Sequence, residues 1–127
     1  MYKNVDEIIA DMEKVYEELN QDQECNEIYK NIGSLTIQIN YTDFNEWITQ
    51  QIENGRCCML KGKVGEAPVQ EYIDSQTFKK VFSGEMQAPE AAMSGLINFE
   101  GDFSKMLLLQ PVLEKTCNAY RKVITSK

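Results

Sequence analysis

The sequence predicts an α+β fold, and three observations carry that prediction. Val5, Ile8, Ile9, Met12, Val15, Tyr16 and Leu19 keep the three-and-four spacing of one helical face. Leu35, Ile37, Ile39 and Tyr41 alternate with Thr36, Gln38 and Asn40, the period of a strand with one buried and one wet side. Asn54-Gly55 lies between two strand-like runs and supplies both positive-φ positions of a type I′ hairpin turn.

The elements follow in order. The first helix runs from Val5 to Leu19, with Asp6, Glu7, Asp11, Glu13, Glu17 and Glu18 forming a solvated stripe that needs no partner. After the polar stretch at 20–24, a short helix from Glu24 to Asn31 leads into Gly33. The alternating strand comes next, then a turn at Thr42-Asp43, and a second strand from Phe44 to Ile52 that contains Trp47. Arg56 to Lys61 makes the third strand beyond the hairpin turn, and a loop from Gly62 to Ala67 leads to a fourth from Pro68 to Ile73. Proline is tolerated there at a strand start or on an edge.

Asp74 or Ser75 caps a short helix that puts Phe78, Val81 and Phe82 on one side and closes at Gly84. Pro89 suits a first helical turn, and Ala91 to Ser94 continue to Gly95. Leu96 to Glu100 forms the fifth strand, and Gly101-Asp102 is a turn and cap. The last helical pattern carries Met106, Leu109, Leu113, Cys117, Tyr120 and Ile124. Pro111 falls inside it, removes the bond to the Leu107 carbonyl and should kink or split it. Helix, four mostly antiparallel strands, two short helices, one strand and a terminal helix make an α+β layout. With no repeat or linker, 127 residues are expected to form one domain, 1–127.

Composition excludes several function classes. A formal net charge of −7 has the wrong sign for a phosphate-rich partner, so nucleic acid binding is not expected, and membrane contact is at most weak and transient. The longest apolar run, Met106 to Leu109, is far short of the ~20 residues of a spanning helix. The N-terminus reads as no secretory signal and the terminal Thr-Ser-Lys as no peroxisomal address, so a cytoplasmic location is expected. Cys25, Cys57, Cys58 and Cys117 then read as free thiols. Cys57 and Cys58 would point to opposite sides of a strand, and with no CxxC and no histidine no metal site is expected.

The segment from Asp74 to Leu109 is the most telling. It alternates capped, Met- and Phe-rich helical turns with a glycine-bounded strand and holds no catalytic constellation. The succession TFKKVFSGEM, APEAAMSG, LINFEGD and FSKMLLL resembles the type-2 sterol carrier protein domain; Trp47 and the Asn54-Gly55 turn extend the likeness over roughly residues 30–110. That resemblance implies a single twisted five-stranded sheet with helices packed over one face and an apolar cavity between them. It also implies binding of sterols, fatty acids, acyl-CoA or other hydrophobic small molecules, with no cofactor.

If there is such a cavity, the faces assign its wall. Ile37 and Ile39 come from the first strand, Phe78, Val81 and Phe82 from the helix after Asp74, and Met86, Ala92 and Met93 from beyond it. Ile97 and Phe99 add the last strand, and Met106, Leu109 and Leu113 the terminal helix. Methionine suits a wall that accepts varied shapes, because its thioether chain repacks easily. Without the resemblance, the same stripe would read as ordinary core. Alternation places Glu71 with Val69 and Ile73 on the inward side, where it would orient a headgroup or hold a buried hydrogen bond; a one-residue bulge would instead turn it to solvent.

Enzymatic readings fare poorly. No histidine is present for general base work, no serine sits in a nucleophile elbow, and GKVG at 62–65 lacks phosphate-loop spacing. A thiol enzyme at Cys57 or Cys58 would need another activating group. The chain is therefore expected not to be an enzyme. The rival to a carrier is an accessory module of the same fold with a filled core, working through a partner protein.

Overall fold

The computed structural model describes residues 1–127. In chain order its elements are α1 (Val5–Leu19), α2 (Gln23–Ile32), β1 (Leu35–Tyr41), β2 (Glu46–Glu53), β3 (Arg56–Lys61) and β4 (Val69–Ile73). Then come α3 (Ser75–Phe82), α4 (Ala88–Met93), β5 (Ile97–Gly101), a 3-10 helix (Phe103–Leu109) and α5 (Gln110–Thr125). The fold is α+β, as the periodicities predict.

Local signals act as expected at most boundaries. Asn4, Asp22 and Asp74 each accept a backbone N–H of the helix they precede, from Glu7, Cys25 and Thr77. Asn54 and Gly55 both have positive φ, at 54° and 76°, which closes the β2–β3 hairpin. Two expectations need correction. The second strand begins at Glu46 and not at Phe44, because residues 42–45 form one turn in which Asn45 is left-handed (φ 51°). Pro111 does split the terminal pattern, but the part before it is a 3-10 helix, and the proline sits in the first turn of α5.

That split shifts the inward stripe of α5. The residues it buries are Val112, Thr116, Ala119 and Tyr120, whereas Leu113 and Cys117 are only partly covered or exposed. Thr116 fits inside because its hydroxyl donates to the Val112 carbonyl at 2.8 Å.

The sheet has the order β3-β2-β1-β4-β5. Every neighbouring pair is antiparallel except β1 and β4, which run parallel. The chain therefore leaves the β3 edge, crosses two strands and enters beside β1. The crossing loop is tied to the polar face of the sheet: Gln38 Nε2 donates to the Gly65 carbonyl at 2.9 Å and Thr49 Oγ1 to the Gly62 carbonyl at 2.8 Å. These bonds explain why both polar side chains are buried. At the far end of the sheet, Gly101 (φ 87°) packs so tightly that a Cβ there would lie 2.2 Å from the Pro68 carbonyl oxygen.

The helices cover the other face, where Leu35, Ile37, Ile39 and Tyr41 point. Val5, Ile8, Met12 and Val15 of α1 are fully buried over the β2–β3 side, and α1 packs along α5. The seam between those helices is polar. Tyr2 donates its hydroxyl to buried Asp11 at 2.6 Å, Lys127 Nζ donates to the same carboxylate at 2.7 Å, and the Tyr2 and Tyr120 hydroxyls lie 2.6 Å apart. No helix is long and apolar enough to cross a membrane.

Candidate functional site

The β4–β5 side of the same face is built differently. Its roof is α3, α4 and the 3-10 helix, and the 3-10 helix has no buried residue. Seven residues is long for 3-10 geometry, whose hydrogen bonds are poorer than those of an α-helix. Phe103 and Leu107 remain 47% and 52% exposed. Between roof and sheet lies an open cavity of about 350 Å³ with a predominantly apolar wall.

The floor is β1, β4 and β5 with Ile39, Glu71, Ile97 and Phe99; α3 supplies Phe78, Val81 and Phe82. Ala92 of α4, Met106 and Leu109 of the 3-10 helix and Leu113 of α5 complete the set of sequence-predicted residues that the structure brings to this wall. Three others lie elsewhere. Ile37 is fully buried in the core, one step along β1 from Ile39. Met86 follows α3, packs against the core from a half-covered position and does not border the cavity. Met93 is 90% exposed, since it sits about 100° round α4 from the wall residue Ala92.

Sequence reasoning missed Tyr16, Tyr29, Tyr41, Gln50, Met59 and Ile73, which close the inner end. Some had a signal. Tyr41 and Ile73 share the alternation of Ile39 and Glu71, and Tyr16 lies on the apolar stripe of α1. Met59 and Gln50 came to the cavity through strand pairing, since they face each other across β2 and β3 on the helix-covered side.

The inner end is where polar groups gather. Gln50 Nε2 donates to the Tyr16 hydroxyl at 3.1 Å, and both are thereby occupied. Glu71 is not. Register places it between Ile39 of β1 and Phe99 of β5, with no bulge, so it faces inward. Burial alone pushes its pKa up from 4.5 to about 7, with no cation or hydrogen bond holding it down. The Tyr41 hydroxyl is likewise buried without a hydrogen-bond partner, and burial and then the charge of Glu71 raise its pKa well above 10.

The buried thiols offer no activated nucleophile. Cys57 is buried on the helix-covered side and Cys58 exposed on the other, so the two cannot ligate one ion together. Burial pushes the Cys57 thiol up to about 12, against the thiolate that nucleophilic chemistry requires.

Residues 13–114 match the family model described as the SCP-2 sterol transfer family. Among solved structures, the chain is similar to the UbiJ-SCP2 ubiquinone synthesis protein, with 12% identity, 94% of this chain and 95% of that one covered, and a TM-score of 0.67. It is similar to the sterol carrier protein domain 2 of Helicoverpa armigera, with 13% identity, coverage of 84% and 85%, and a TM-score of 0.66. A third likeness is to the inverting sec-alkylsulfatase Pisa1 from Pseudomonas sp., at 18% identity and a TM-score of 0.54; it takes in 61% of this chain and only 13% of that enzyme. At such identities these likenesses show the fold alone. No curated protein sequence matches the chain significantly.

Proposed function

Because the chain belongs to the SCP-2 sterol transfer family, we propose that it is a non-catalytic carrier holding a hydrophobic small molecule, such as a fatty acid, acyl-CoA or sterol-like lipid, in the β4–β5 cavity. The observation that carries this reading is the cavity itself, about 350 Å³ and bordered mainly by aliphatic and aromatic side chains. That volume falls within the range of small-molecule sites. The ligand-binding residues are then those of the wall, with Phe78, Phe82, Phe99, Met106 and Leu109 as the main apolar contacts.

Energetics support an occupant. Left dry, 350 Å³ would cost about 8 kcal/mol at ~24 cal/mol per Å³, comparable with the whole stability of an ordinary domain. The empty protein relieves this by admitting water past the exposed roof. A ligand that replaces that water stabilises the fold by mass action, about 2.7 kcal/mol at a hundredfold excess over Kd.

Residues 1–127 act in this reading as one unit, since α1 and α5 close on each other and share one core. Four free thiols suit a reducing, cytoplasmic setting. A second reading, an accessory module acting through a partner protein, is favoured by the exposed Phe103, Leu107 and Leu108 beside the cavity mouth. Native mass spectrometry and thermal melting separate the two. A carrier brings co-purifying lipid and gains several degrees in Tm with added long-chain lipid. A bare mass and a flat Tm across fatty acids, acyl-CoA and sterols overturn the carrier.

A further inference from the structure

We infer that the inner end of the cavity receives a hydroxyl, so that the preferred ligand is a lipid whose buried polar group is an alcohol and not a carboxylate. This rests on the carrier reading and specifies the chemistry of its ligand.

Two observations lead to it independently. The first is Glu71, whose carboxyl borders the cavity from β4 and takes no hydrogen bond from any protein donor. The second is the Tyr41 hydroxyl, from the neighbouring strand and another residue of the same wall, which is buried and unpartnered. Buried polar groups are nearly always satisfied, and each exception requires an explanation. Here the one orphaned hydroxyl and the unpaired, half-buried Glu71 carboxyl border the same space.

Their chemistry selects the partner. An ionised carboxylate only accepts, whereas a phenol hydroxyl donates as well as accepts. An alcohol oxygen can donate to Glu71 and accept from Tyr41, so one small group satisfies both. An ammonium gives Glu71 a donor but offers Tyr41 no acceptor. A fatty acid carboxylate meets Glu71 as a like charge at short range, and no lysine or arginine borders the cavity to neutralise it. Glu71 is the sole formal charge on the wall; the other ionisable groups there, Tyr16 of α1, Tyr29 of α2 and Tyr41 of β1, all hold their protons far above neutral pH.

The test uses three probes of equal chain length, 1-dodecanol, dodecanoate and dodecylamine, titrated calorimetrically against the full chain and Glu71→Gln. At pH 8 dodecanol is expected to bind at least tenfold more tightly than dodecanoate and more tightly than dodecylamine. Any apolar pocket disfavours a carboxylate to some degree, so the decisive reading is the change in ratio. Glu71→Gln supplies an amide donor without charge, and should cut the preference for dodecanol over dodecanoate at least fivefold. In the unmodified chain pH 5.5, where Glu71 keeps its proton, should do the same without any substitution. An unchanged ratio in both arms overturns the proposal and places the headgroup at the mouth, leaving the carrier reading intact. Tightest binding of dodecylamine also overturns it. No binding of any probe overturns this proposal together with the carrier reading.

Discussion

The helix-covered sheet face is packed under the N-terminal part of α1 and hollow under α3, α4 and the 3-10 helix, and the two halves treat an inward acid in opposite ways. Under α1, Asp11 is buried but holds the Tyr2 hydroxyl and the Lys127 ammonium, so its charge is met. Over β4, Glu71 faces inward with neither a hydrogen bond nor a cation. The filled half is roofed by a regular fifteen-residue helix with fully buried Val5, Ile8, Met12 and Val15. The hollow half is roofed by short helices and 3-10 turns that leave leucines in water. In the carrier reading proposed above, the half where these features gather is the one that takes the ligand.

The sharpest way to break this contrast is truncation on each side. Ile8→Ala in the filled half should cost about 2–5 kcal/mol in chemical denaturation, the usual range for a fully buried aliphatic side chain. Leu107→Ala in the hollow half's roof should cost well under about 1 kcal/mol, since that side chain is already half in water. Comparable losses would mean that the roof is as well packed as α1.

Glu71→Gln tests the unmet acid through pH. A carboxyl held at about 7 when folded and near 4.5 when unfolded keeps its proton longer in the fold. Stability therefore falls as pH rises from about 4.5 to 7, and the penalty is complete above 7. Removing the carboxyl should leave stability unchanged below pH 4.5 and raise it above pH 7 by at most about 3.4 kcal/mol at ~1.36 kcal/mol per pKa unit. Melting curves at pH 4 and pH 8 check this; a Tm difference independent of pH would mean that Glu71 is not buried as described.

The smallest effect is expected at Met93. At 90% exposure it belongs to neither half, so Met93→Ala should change stability by less than about 0.5 kcal/mol and leave lipid binding as it was. A clear loss of binding would return this residue to the wall, where its sequence neighbourhood first suggested it.

Much of the hollow half was legible before the structure. Alternation along β4 put Glu71 inward because side-chain period on a strand is strictly two, and the absence of a bulge kept it there. The stripe of Phe78, Val81 and Phe82 came out of helical spacing, and the Asp74 cap and the Asn54-Gly55 turn from short-range stereochemistry. Errors arose where an element was short or changed type. Six residues of α4 give too few turns to tell Ala92 from Met93, and a 3-10 segment before Pro111 rotated the stripe of α5 toward Val112 and Thr116.

By itself, then, the sequence determined the elements, their caps and turns and which side of each is apolar, because these are set by neighbours within a few residues. Only the tertiary structure decided that β4 would enter parallel beside β1, that Ile37 would be packed solid while Ile39 borders empty space, and that the space would open on Glu71. Periodicity reports which way a side chain points; whether anything fills the room in front of it depends on chain segments far away in sequence.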